Sequence, residues 1–215
     1  MFVDRHDAAL RLAERLGAWR GKRVLVLAIP RGAIPMGETL ARALEGDLDV
    51  VLARKLPSPQ MSEVAVGAVD ESGWMFVNDE AHLRRLLPGY LEAQRQAQLA
   101  TIRQRRAQYT PLRERVNPAG RIVVVVDDGL ATGATMTAAL HAVRQTHPKR
   151  LICAIPVSPP DTLARIAALA DEVVCLHTPE NFEAVGQFYR HFPQVDDEEV
   201  VEVLRRWGHS ARRPA

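Results

Sequence analysis

Two adjacent carboxylates, Asp127 and Asp128, follow a run of β-branched residues, Ile122 to Val126, and precede the loop Gly129-Leu130-Ala131-Thr132-Gly133-Ala134-Thr135. The apolar run reads as a strand buried on both faces of a parallel sheet. Met136, Ala139, Leu140 and Val143 recur at i, i+3, i+4, i+7, the period of an amphipathic helix. A turn at the carboxyl end of such a strand is where open α/β sheets bind ligands. Backbone N–H groups at a loop and helix start point outward and attract a phosphate. Gly129 and Gly133 allow close backbone approach, and Thr132 and Thr135 add hydroxyl donors. The chemistry this predicts is a phosphate held beside two acids able to grip a sugar diol or a metal. An ordinary strand–loop–helix corner would not require both acids together with this loop.

A second group lies at Ala28-Ile-Pro-Arg-Gly-Ala-Ile-Pro-Met-Gly37, at the end of another apolar strand, Val24 to Ile29. It offers one fixed cation, Arg31, with N–H groups near Gly32, a combination suited to a diphosphate. The bland alternative is a Pro-Gly turn with a surface arginine. Arg54-Lys55 closes a further apolar run, Leu48 to Ala53, and places two cations at a strand end, either beside the ligand or solvated.

These groups need a scaffold that carries several strand ends to one edge. Strands alternating with helices predict an α/β fold, a doubly wound and mostly parallel sheet. Helices are expected over Asp4 to Trp19, from Gly32 to about Leu44, after Thr135, and near Asp161 to Ala170; Leu151 to Val157 and Glu172 to Leu176 extend the βαβ pattern. A hairpin, Val64 to Val69 and Trp74 to Val77, and a polar helix from roughly Glu80 to Gln108 with a break at Pro88-Gly89 interrupt the alternation. Past His177 the chain is irregular and carries Phe182, Phe188, Tyr189 and Phe192. A last helix is expected from the cap Asp196, with Val200, Val203, Leu204 and Trp207 on one face. The tail from Ser210 to Ala215 is expected to be disordered.

Composition narrows the classes. Lys+Arg 28 against Asp+Glu 26 is nearly neutral, which argues against a general nucleic-acid binder. The Arg-rich stretch Leu83 to Arg115 has only Tyr90 and Tyr109 as aromatics, so base stacking is weakly supported. Cys153 and Cys175 sit in apolar runs and read as reduced core residues. No zinc spacing, Gly-x-Ser-x-Gly elbow, Walker A loop or Gly-x-Gly-x-x-Gly fingerprint occurs, which removes the main support for hydrolase, P-loop kinase and dinucleotide-oxidoreductase readings. With no apolar stretch of membrane-spanning length and a charged N-terminus, a cytoplasmic location is the default expectation.

Four apolar residues, two acids, three loop residues and Thr-Gly-x-Thr closely resemble the phosphoribosyl-pyrophosphate (PRPP) signature of type I phosphoribosyltransferases. The match runs from Val123 to Thr135, and the specific motifs cover about forty residues. The resemblance implies a five-stranded parallel core in a single domain over residues 1–215, an inserted or flexible segment near 56–120, and a small hood near 177–207. It also implies transfer of a 5-phosphoribosyl group from PRPP to a nitrogen acceptor of nucleobase type, with pyrophosphate released. By that resemblance Gly129 to Thr135 bind PRPP, and Thr132 to Thr135 take its 5′-phosphate. Asp127 and Asp128 hold the ribose hydroxyls, directly or through water on Mg²⁺, and are the metal-binding residues. Arg31, with Gly32, and Lys55 stabilise charge on the pyrophosphate. The Pro30–Arg31 peptide is expected to be cis, and Leu83 to Arg115 takes the place of the loop that closes over the site. Many predicted phosphoribosyltransferases of unassigned substrate resemble this chain at Arg54-Lys55 and the proline-containing segment after it. A homodimer is compatible with this reading. A non-catalytic PRPP or nucleotide sensor on the same fold, and a sugar-phosphate phosphohydrolase or phosphorylase, remain alternatives.

One position departs from the family pattern. Enzymes acting on 6-oxopurines typically carry an Asp just before Thr-Gly, close to the base; here it is Ala131, which can neither accept nor donate a side-chain proton. General bases commonly contribute about 10²–10⁴-fold. Hypoxanthine and guanine are therefore expected to be poor acceptors; the acceptor should be already anionic, as orotate is, or deprotonated by another group, or absent altogether if the protein is a sensor. Steady-state assays across acceptors check this; efficient hypoxanthine or guanine transfer would refute it, and Ala131→Asp should raise any weak purine activity.

Overall fold

The computed structural model describes residues 1–59, 65–78 and 89–210. Its core is a five-stranded, all-parallel sheet in the order β2-β1-β6-β7-β8. The strands are β1 (Leu25–Ala28), β2 (Asp47–Val50), β6 (Ile122–Val126), β7 (Arg150–Val157) and β8 (Glu172–His177). All residues of β1 and β6 are buried, as expected of strands covered on both faces. Alternate side chains divide between two cores. Val24, Val26, Ala28, Val124 and Val126 face α1 (Arg5–Arg15) and α2 (Ile34–Ala43). Leu25, Leu27, Val123 and Val125 face α4 (Ala134–Arg144) and α5 (Pro160–Ala167). From β1 the chain turns through α2 to β2 on one side; from β6 it turns through α4 to β7 on the other. The sheet order therefore reverses between β1 and β6, which opens a crevice at their carboxyl ends.

The expected second core strand through Ala53 is shorter than its sequence pattern. It ends at Val50, and a separate strand, β3 (Ala53–Pro57), pairs antiparallel with β4 (Ala65–Asp70), which pairs with β5 (Met75–Val77). Arg54 and Lys55 thus belong to a three-stranded antiparallel sheet and do not end a core strand. An apolar run reports burial but not which sheet supplies its hydrogen bonds, so the register change is invisible in it. Pro57 falls at the last position of β3, at an irregularity between Leu56 and Pro57, where a missing N–H is tolerated.

The expected hairpin is β4–β5. Val64, the stretch Glu80 to Pro88 of the expected long helix, and the tail after Ser210 lie outside the described residues. The remainder of the long helix is α3 (Tyr90–Tyr109), entered through Gly89 at φ 78°. Its buried side is formed by Leu91, Leu99, Ile102 and Tyr109. The last helix, α6 (Asp197–Ser210), starts where expected: Asp196 Oδ1 accepts the Glu199 N–H at 2.8 Å, and Val200, Val203 and Leu204 are buried. Cys153 and Cys175 are both free. Among the described residues no helix is long and apolar enough to cross a membrane.

Asp70 ties the small sheet to the core. Its buried carboxylate accepts the N–H groups of Ser72 and Trp74 and the Ser72 hydroxyl, and its other oxygen lies 3.0 Å from His141 Nδ1 on α4. The Trp74 ring stacks on that imidazole at 3.8 Å. Asp70→Ala would strand these donors, and a loss of about 1–3 kcal/mol in urea-unfolding stability is expected; an unchanged midpoint would show that the turn closes without this acceptor.

Candidate active site

Residues from both sides of the β1/β6 crevice line a cleft of about 620 Å³. Its walls include Pro30 and Gly32 after β1, Arg54 and Lys55 from β3, and every residue from Asp127 to Met136. Glu183, Ala184, Val185, Gly186 and Phe192 close it from the C-terminal aromatic segment. The expected groups are therefore brought together, with one exception. Arg31 is absent from the wall although both its neighbours contribute to it; its Nη1 instead bonds Asp197 Oδ2 at 3.2 Å. The Pro30–Arg31 peptide is cis.

The phosphate-type loop is held open from behind. The Ala131 carbonyl accepts the Thr162 hydroxyl at 2.8 Å, and the Thr132 carbonyl accepts Arg165 Nη2 at 3.0 Å, both from α5. With its carbonyls tied back, the amides of Ala131, Thr132 and Gly133 find no protein acceptor among the described residues. Gly133, at φ 73°, starts α4; a Cβ there would meet Thr162 at 2.8 Å, so the turn requires glycine. The Thr135 Oγ1 is buried without a hydrogen-bond partner. A buried hydroxyl and a row of unpaired amides at a helix start have the chemistry of an anion cradle.

The acid pair sits beside that cradle. Asp127 Oδ1 accepts the Asp128 N–H at 2.9 Å. Burial, then the adjacent Asp128 charge, pushes Asp127 well above the usual carboxylate range. Burial raises Asp128 too, but Arg5 opposes the shift, donating to its Oδ2 from Nε at 3.0 Å and Nη2 at 2.8 Å. Arg5 is held in turn by the Pro193 carbonyl at 2.6 Å and by the Phe192 ring, 3.8 Å from its guanidinium carbon. The Tyr189 hydroxyl donates to the Asp128 carbonyl at 2.6 Å. A Cβ on Gly32 would collide with the Asp128 carboxylate, so the two loops touch only because residue 32 lacks one.

Two partly buried carboxylates, both disfavoured as anions, fit Mg²⁺, which keeps several waters and takes few protein ligands besides substrate oxygens. Among the described residues no group of three or more His, Cys, Asp or Glu side chains could hold a metal by itself.

Arg5, Tyr189, Thr162 and Arg165 are missed by sequence reasoning. Each lies far along the chain from what it holds, and Arg5 reads as an ordinary charged residue of an N-terminal helix. Part of the arginine-rich segment, residues 83–88, lies outside the described residues. Where described, the segment is largely a packed helix and its exit: Arg106 and Arg115 pair with Glu71, and the buried Arg113 bonds the Leu48 and Trp207 carbonyls. The aromatic cluster is mainly its own small core, with Phe182 against Phe188 and Tyr189 against Phe192; of these rings only Phe192 lines the cleft.

An acid pair and a loop of unpaired amides at the switch point of a parallel sheet place the chain in the doubly wound α/β class. The chain belongs to the phosphoribosyl transferase domain family, whose model matches residues 5–193. It is 43% identical over 207 residues to two Mycobacterium tuberculosis proteins named "Putative phosphoribosyl transferase", Rv0571c of strain H37Rv and MT0597 of strain CDC 1551. Those matches cover 96% of this chain and 47% of each relative, so the chain spans about half the length of the curated relatives it matches. It is also similar to a solved structure, TT1426 from Thermus thermophilus, at 42% identity and a TM-score of 0.81, covering 96% of this chain and 99% of that one.

The raised acid pair has a thermodynamic consequence. Asp127 binds its proton more tightly folded than unfolded, so stability falls as pH rises from the ordinary Asp value near 3.8 through the raised one, and the penalty is fully present above it. Asp127→Asn removes that penalty while its amide oxygen can still accept the Asp128 N–H. Its Tm at pH 7–8 should exceed wild type by about 2–4 °C for each ~1 kcal/mol released, and the gap should close towards pH 4. Scanning calorimetry across that pH range checks the sign; a lower Tm at pH 8 would contradict it.

Proposed function

We propose that the chain transfers a 5-phosphoribosyl group from PRPP to a nitrogen acceptor, releasing pyrophosphate. The observation that carries this is the unpartnered Thr135 hydroxyl and outward loop amides beside Asp127 and Asp128. In this reading the Thr132–Thr135 part of the loop seats the 5′-phosphate and the acids hold the ribose hydroxyls. Mg²⁺, when bound through one or both acids, supplies positive charge to the substrate oxygens. Arg31 and Lys55 stabilise the charge that develops on the leaving diphosphate. The acceptor lone pair forms the new bond at C1′ as the C1′–O bond breaks, and any acceptor N–H proton must leave by a group other than Ala131.

Residues 183–186 and 192 cover the acceptor side as a hood. Val185 reaches within 2.7 Å of where a Cβ on Gly129 would lie, so the hood rests on the loop itself. This excludes water from a cation-like sugar.

A turnover screen with PRPP and Mg²⁺ against nucleobases and small amines tests the reading. Acceptor-dependent pyrophosphate release is expected, and Asp127→Asn should lower it by at least about 10²-fold, the scale of losing one charge-stabilising group. Acceptor-independent phosphate release would instead indicate a hydrolase, and tight PRPP binding without turnover a sensor.

A further inference from the structure

Two guanidinium groups from distant parts of the chain pair with one carboxylate near the cleft, and a third belongs to the adjoining wall. Arg105 of α3 and Arg54 of β3 both line the wall, while Arg31 turns out of it. Asp197, the first residue of α6, pairs with Arg31 and Arg105: Oδ2 lies 3.2 Å from Arg31 Nη1 and Oδ1 lies 3.7 Å from Arg105 Nη2. The Tyr109 hydroxyl donates to Oδ1 at 3.3 Å, and burial with the adjoining Asp197 raises its pKa to about 12, so it stays a neutral donor. Arg54 donates Nε to Gln98 at 2.6 Å, and the charges of Arg105 and Arg31 act on it. Two cations on one carboxylate, with the Arg54 charge acting nearby, leave an excess of positive charge that a single carboxylate does not neutralise.

The Asp197 side chain is 43% exposed and its ion pairs are long, so they hold loosely. Two features distinguish a place-holder from a permanent clamp. Asp197 does not line the cleft, and while it binds Arg31 that guanidinium is kept from the wall its neighbours form. A carboxylate left in place would also repel an incoming diphosphate.

We propose that Arg31, Arg54 and Arg105 together form the diphosphate seat, and that Asp197 is its resting occupant, displaced when the ligand binds. This rests on the PRPP reading above. It adds two arginines from the β3 and α3 segments to the binding residues, and it makes the first turn of α6 move with ligand.

Isothermal calorimetry with Mg²⁺ and pyrophosphate, PRPP or ribose 5-phosphate tests it on wild type, Asp197→Asn and Arg105→Gln. Asn keeps the shape and can still accept from Tyr109. Asp197→Asn should tighten pyrophosphate and PRPP about three- to tenfold, the range for losing partly exposed ion pairs, and leave ribose 5-phosphate unchanged. Arg105→Gln should weaken the same two ligands at least about tenfold, as for a lost charge-assisted contact, again sparing ribose 5-phosphate. Unchanged or weaker pyrophosphate binding by Asp197→Asn, or equal losses on all three ligands for Arg105→Gln, would overturn the inference while leaving the PRPP reading intact. Wild-type protein that binds ribose 5-phosphate but neither PRPP nor pyrophosphate would overturn both.

Discussion

Everything around the cleft answers to the burial of two adjacent carboxylates at the end of β6. Neighbouring acids in a partly dry site repel each other and lose hydration, and both are pushed towards protonation. The fold compensates only partly. Arg5 reaches from α1 to Asp128, Tyr189 fixes the Asp128 backbone, and Lys55 contributes a favourable field to both acids. The remaining deficit favours a cation or a set of hydroxyl donors, the chemistry that a hydrated metal and a ribose diol supply.

That constraint explains why the N-terminal helix and the C-terminal segment meet. Arg5 joins Asp128, the Pro193 carbonyl and the Phe192 ring in one contact set. Phe2 packs against Tyr189, and its N–H bonds the Phe188 carbonyl. The two segments are thereby drawn over the same sheet edge, one supplying the counter-charge and the other the cover. The charge pattern repeats with opposite sign at the far side, where Arg54 and Arg105 line the wall and Arg31 and Arg105 pair with Asp197 behind it. The cleft is thus electrostatically divided, with acids beside the Gly129–Thr135 loop and cations beyond them.

The small antiparallel sheet and α3 provide that second wall. They dock on the core through Asp70, His141 and Trp74 on one side and on the other through Arg106, which pairs with Glu71 and donates to the Val50 carbonyl of β2. Their role at the site is to bring Arg54, Lys55 and Arg105 to an edge that the parallel strands alone would leave open.

Much of this was legible in the linear chain because its signals are local. The β-branched run before Asp127-Asp128, the glycines and threonines after it, and the 3.6-residue period of α4 fix a strand, a turn and a helix within about twenty neighbouring residues. The cap at Asp196 and the apolar face of α6 are local in the same sense. Tertiary structure alone decided what depends on distant partners. Arg54 and Lys55 joined a second sheet because strand pairing, not apolar pattern, selects the neighbour. Arg5 became the counter-ion of Asp128 across 123 residues of sequence, and Asp197 the counter-ion of Arg31 across 166. A side chain's type states what charge it can offer; only the folded path of the backbone determines which charge it meets.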